Sequence, residues 1–252
     1  MNFLDSGDKM RYLFFDIECA NPKFNSICTF GYVLTDENFV ELAQEDILMN
    51  PETGYDKYVI KNILHYSAEE LDSHMPFPCF YDGIHDLMCA HDTVVLGFSI
   101  SNDIRFLNET CIRYRLPSLN YRFFDVQKIY GDYVKVKDQT SIEKAGETLH
   151  LDKPFFVHRS DEDARITMEI LKAICHEKNT SLSVLLEEFS ACGGNNRNFI
   201  ETWDVEGKTA INHKKNHEKK RKLLAEKRKK KEQQARDSQS AVELDPSLKP
   251  VL

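Results

Sequence analysis

Apolar residues come along this chain in short blocks at two different spacings. Residues 11–17 are dense in aromatic and aliphatic groups and read as a buried strand. Two more strands fit 26–35 and 39–49, with Asp36-Glu37-Asn38 as the turn of an antiparallel hairpin. Ser67 followed by Glu70 fits a capping box at a helix start, and Pro76 and Pro78 break that helix. Helical spacing then covers about 79–90, 101–115, 140–149, 161–177 and 181–189, with short buried strands at 93–97 and 121–125. The order βββαβαβαα predicts a mixed sheet flanked by helices, an α/β domain rather than a sandwich or a bundle. Cys192-Gly193-Gly194-Asn195-Asn196 reads as a flexible break, so the compact domain is expected over 1–190. Residues 191–213 then form a linker that Phe199, Ile200 and Trp203 could dock, and 214–252 a basic tail, disordered from 232 onward.

Charge sharpens the boundary at 214. The segment 214–231 carries eleven Lys/Arg and two Glu, a net of +9, so the rest of the chain holds −17 against the total of −8. Three readings of the basic segment stand: a solvated helix or disordered tail, a non-specific tether to phosphate backbones, or a dock for an acidic protein. Composition otherwise excludes more than it selects. Hydrophobic residues make up 41% of the chain, enough for a core. No apolar run reaches the roughly 18 residues that cross a bilayer, so no membrane partner is expected. Acidic residues stand where a signal peptide needs a basic start, and the seven cysteines are scattered without a CxxC pair. Both features point to a reducing, cytoplasmic setting and away from a disulfide framework or a zinc site. There is no Walker A loop, GxSxG, HExxH or Gly-rich dinucleotide fingerprint.

The candidate chemistry lies in acids at element ends. Asp16 and Glu18, spaced i, i+2 at the end of an apolar strand, face the same way, roughly 7 Å apart along the chain. Two carboxylates there are costly unless something positive lies between them, and a divalent cation meets that need; the alternative is a strand that ends in water. Asp103 falls just inside the helix after Thr93–Gly97, with Ser99 or Ser101 as a possible N-cap. Asp163 falls in the first turn of another helix, beside Ile166, Ile170 and Ile174 at helical spacing. Ser160 is the expected cap of that helix, Asp161 and Glu162 a solvated turn, and His158 a loop residue able to take a proton.

In this order the sequence resembles the DEDDh 3′→5′ exonucleases of the ribonuclease-H-like fold, such as the epsilon proofreading subunit of bacterial DNA polymerase III and ribonuclease T. The motif hhhDhE (h apolar) matches Leu13-Phe14-Phe15-Asp16-Ile17-Glu18, the second motif Leu96 to Asp103, and HxxxxD runs from His158 to Asp163. The resemblance covers about residues 10–178. Two departures bear on nucleotide contacts: Cys19-Ala20 where many members have Thr-Gly, and Phe98-Ser99 where many have His-Asn. The resemblance implies a nuclease using two divalent metal ions, Mg²⁺ or Mn²⁺. Asp16, Glu18 and Asp163 would hold one ion. Asp16 would also reach the second, which Asp103 supports, and His158 would be the general base. It also implies a DNA or RNA 3′ end, single-stranded, as substrate, and a DNA polymerase as a possible partner. A non-catalytic binding or regulatory module on the same fold is the competing reading, as is a proofreading subunit.

Overall fold

A computed structural model of the chain describes residues 9–136, 139–151 and 159–202. His158, Trp203 and the basic segment 214–231 lie outside the described residues. The chain divides into a unit of residues 1–200 and a second of 201–252, and nearly all described residues belong to the first.

The hairpin expected at the N-terminus is present. Strands β1 (Arg11–Cys19), β2 (Ile27–Thr35) and β3 (Glu41–Leu48) pair antiparallel in sequence order. Strands β4 (Thr93–Gly97) and β5 (Arg122–Asp125) add on the other side of β1, both parallel. A short β6 (Gly193–Asn195) closes that edge antiparallel to β5, giving the order β3-β2-β1-β4-β5-β6. Every residue of β2 and β4 is buried, as befits strands covered on both faces.

The period-2 alternation of β1 sorts its side chains onto the two faces. Leu13, Phe15 and Ile17 enter one core with Phe30, Ile84 and Ile104, from β2, α3 (Tyr81–Cys89) and α4 (Ser101–Tyr114). Tyr12 and Phe14 enter the other, with residues of α5 (Val126–Val134), α6 (Ile142–Thr148), α7 (Ser160–Lys178) and α8 (Leu182–Glu188). Continuing the second alternation places Asp16 and Glu18 on the face that α7 covers. Two short helices, α1 (Lys57–Asn62) and α2 (Ala68–Asp72), lie between β3 and α3. Ser67 caps α2 by accepting from the Glu70 amide, as the capping-box spacing predicts.

Some sequence readings need correction. Gly193–Asn195, read as a break, is a strand. Its signal is hidden because a Cβ on Gly193 would stand 2.8 Å from the Phe124 ring, so side chains that advertise strands cannot be used there. Phe199 does dock back, edge-on to Phe123 at 6.0 Å. Helix α5 adds to the expected elements: Val126, Ile129, Tyr130 and Tyr133 recur at helical spacing and Asp125 caps it, accepting from the Gln127 and Lys128 amides.

Candidate active site

Strand β1 delivers Asp16 and Glu18 to the sheet's α7 side, just before the irregularity between Glu18 and Cys19 that ends regular pairing with β2. Helix α7 delivers Asp163 from its first turn. One carboxylate oxygen from each of these three residues lies within 4.8 Å of the others. Asp103, in the first turn of α4, is 5% exposed and electrostatically joined to the group. Residues separated by up to 147 positions are thus brought together at the ends of one strand and two helices.

The close approach of α7 to the sheet has a specific cause. Gly31 of β2 pairs with Asp16 in register. A Cβ at position 31 would lie 2.0 Å from the Asp161 amide nitrogen and from the Ser160 carbonyl carbon. Only a residue without a side chain lets the start of α7 rest on β2 at this point.

The sequence misjudged that start. Ser160 is not the cap: Arg159 occupies the N-cap position without a side-chain capping bond, and Ser160 is the first helical residue, fully buried. Its Oγ lies 2.7 Å from Asp46 Oδ1 and 2.9 Å from Thr29 Oγ1. With one hydroxyl proton, it donates to the carboxylate and accepts from the threonine. Asp161, read as solvated, is 6% exposed; it accepts from Gln44 Nε2 at 3.1 Å and pairs with Arg159 at 3.2 Å. Apart from Arg159, these partners sit on β2 and β3, more than a hundred residues away in sequence. At α4 the expected Ser99 or Ser101 cap is also absent. Ile100 holds the N-cap position and Ser99 adopts a left-handed φ of 59°, as the tight turn out of β4 requires.

The electrostatics follow from burial. Desolvation is the largest influence raising the Asp16 carboxyl well above its ordinary range, followed by the charges of Asp103, Asp163, Glu18 and Asp46. Desolvation likewise leads for Asp103, followed by Glu18; its own backbone hydrogen bond opposes the shift, and Asp125 and Asp163 add to it. Every principal charge acting on Asp16 comes from another carboxylate. Carboxylates gathered this closely repel one another when ionised, and an all-oxygen donor set suits hard divalent ions such as Mg²⁺ or Mn²⁺. The residues therefore fit the ions that the sequence resemblance implies.

No family profile and no curated protein matches the sequence. Solved structures do. A 3′-exonuclease described for 3′-end-specific recognition of histone mRNA stem-loop superposes with a TM-score of 0.58 at 21% identity, over 69% of this chain and 66% of that one. The nuclease domain of 3′hExo, a DEDDh family member bound to rAMP, gives 0.59 at 19% identity over 68% and 94%. E. coli Exonuclease I in complex with a 5cy-dT13 oligonucleotide gives 0.60 at 13% identity over 73% and 44%, so this chain spans less than half of that protein. At these identities the likeness speaks to architecture, and the six-stranded mixed sheet with its flanking helices is the ribonuclease-H-like fold of the DEDDh 3′-exonucleases.

Proposed function

We propose that this protein is a metal-dependent 3′→5′ exonuclease that releases nucleoside monophosphates from single-stranded DNA or RNA 3′ ends. The observation that carries the reading is the convergence of Asp16, Glu18 and Asp163 within 4.8 Å, with Asp103 buried beside them. Asp16, Glu18 and Asp163 would hold one divalent ion, and Asp16 with Asp103 a second. Ions so held supply Lewis-acid stabilisation of phosphate oxygens and favour ionisation of water at neutral pH. The carboxylates orient that chemistry, because each is fixed by a strand or a helix rather than by a loop. His158, five residues before Asp163, is assigned the general base that takes the proton of the attacking water on its imidazole. An acidic site also meets a polyanion through cations, which accounts for a nuclease body of negative charge.

The test is degradation of matched 3′-labelled single-stranded DNA, duplex DNA and RNA with Mg²⁺, with and without chelator. Asp163→Asn and Asp16→Asn should abolish chelator-sensitive product while the circular dichroism spectrum stays native. His158→Ala should lower kcat more than it raises KM. A purified protein that binds Mn²⁺ yet degrades none of the three substrates refutes the nuclease reading and favours a non-catalytic binding module.

A further inference from the structure

The carboxylate of Asp46 lies one strand beyond Gly31, opposite it in the β2–β3 register, so Asp16, Gly31 and Asp46 form a row across the sheet. Sequence gives Asp46 no role, and it is not one of the three carboxylates that meet at 4.8 Å. Both of its oxygens are engaged by hydroxyl groups: Oδ1 accepts from Ser160 at 2.7 Å and Oδ2 from Tyr66 at 2.5 Å. Ser160 is itself fully buried and tied to Thr29. One residue on, Asp161 is held to the same strand by Gln44. The first turn of α7 is therefore fastened to edge strand β3 at two successive residues, over a glycine that lets it sit flush on β2. Asp163 follows Ser160 by three residues, about 4.5 Å of helix rise. Less than one turn separates the fastening from the ligand, too short a length for the helix to absorb a misplacement.

We infer that Asp46 is a positioning residue for the carboxylate cluster, acting through Ser160 to fix where Asp163 stands relative to Asp16 and Glu18. The inference rests on the metal site proposed above. Groups of this kind, which orient metal ligands without touching the ion, typically change metal affinity by about 10–100-fold when removed. Asp46 also adds negative charge near Asp16, so a simple field effect must be separated from positioning. Ser160→Ala does so, because it removes the tie and leaves the charge.

The experiment titrates the full-length protein with Mn²⁺ alone by calorimetry, for wild type, Ser160→Ala, Asp46→Ala and the double variant. Each is held well below its own thermal midpoint. Positioning requires Ser160→Ala to weaken Mn²⁺ binding by about 10-fold, Asp46→Ala at least as much, and the double variant no more than Asp46→Ala, since both cut one linkage. On a single-stranded oligonucleotide kcat should fall in the same order with KM little changed. Wild-type Mn²⁺ affinity in Ser160→Ala overturns the inference even if its melting temperature drops, because the tie would then serve the fold alone. Additive effects in the double variant also overturn it. If Asp46→Ala fails to fold, Ser160→Ala, which loses one oxygen atom, decides the matter by itself. A wild type that binds Mn²⁺ and lacks nuclease activity refutes the proposed function while the Mn²⁺ series still decides the positioning role.

Discussion

Replacing Gly31 by alanine is the sharpest single perturbation of this site that touches none of its carboxylates. The added Cβ would meet the Asp161 nitrogen and the Ser160 carbonyl carbon at 2.0 Å and the Ser160 oxygen at 2.6 Å, where ordinary contact begins at 3.4 Å. All three obstacles are backbone atoms, so no side-chain rotation relieves the clash, and strand and helix must part by more than an ångström. Overpacking of this kind costs about 1–3 kcal/mol, and backbone obstruction belongs at the upper end or beyond. For a domain of this size each kcal/mol lowers the melting temperature by roughly 2–4 °C. Because Asp163 rides on the displaced turn, the rate should fall further than stability does: about 10²-fold for a displacement near 1 Å. Thermal unfolding by circular dichroism and Mg²⁺-dependent release from a 3′-labelled oligonucleotide measure the two effects. Gly83→Ala in α3, where nothing stands within 4 Å of the new Cβ, is the control; it should be neutral or stabilising by up to about 1 kcal/mol. A Gly31→Ala protein with native melting temperature and rate would refute the contact between β2 and α7 on which the site's geometry depends.

Other predictions concern parts of the molecule away from that contact. In chelator, Asp103→Asn should gain stability over wild type as pH rises from about 4 toward 7, because the folded state holds Asp103's proton above the ordinary value near 3.8 and loses stability as the carboxyl ionises; thermal midpoints that run parallel across that range would contradict it. Arg113, whose Nη1 donates to the Asn25 and Pro51 carbonyls at 2.8 and 2.7 Å and Nη2 to that of Glu52 at 2.7 Å, staples two loops to α4. Arg113→Ala should cost about 2 kcal/mol in urea denaturation, with Arg113→Lys recovering less than half. Among the described cysteines only Cys79 is exposed. Ellman's reagent should therefore label Cys79 fast, while Cys111, Cys175 and Cys192, buried and each pushed up to about 11 mainly by desolvation, react only on unfolding.

The sequence carried the sheet and most helices because their signals are local. The i, i+2 spacing of Asp16 and Glu18 at the end of the apolar strand puts them on one face, and the Ile166, Ile170 and Ile174 repeat puts Asp163 at the lip of a buried one; these three isoleucines are all in the core. What could not be read depended on partners far along the chain. Nothing near Ser160 or Asp161 announces that Asp46 and Gln44 will meet them, so both looked like ordinary helix-start residues. Nothing next to Gly31 in sequence marks it out either, since its reason is a helix that begins 129 positions later. The α5 helix differs: its spacing is local, but it follows strand Arg122–Asp125 with no turn residue between them, and Asp125 serves both as the last strand residue and as the helix cap.

The placement of the carboxylates on β1 and α7 has a consequence for how the protein breathes. Leu13, Phe14 and Phe15 of β1 and Ile170, Leu171 and Ile174 of α7 are fully inaccessible to solvent, whereas α1 buries no residue at all. Elements so different in burial open separately, and native-state hydrogen exchange should find α1 amides exchanging through local fluctuations while those of β1 and the middle of α7 wait for global unfolding. The site is thus assembled on the last cooperative unit to open. A fluctuation that frays the periphery leaves the carboxylates in register, and loss of that register coincides with loss of the fold.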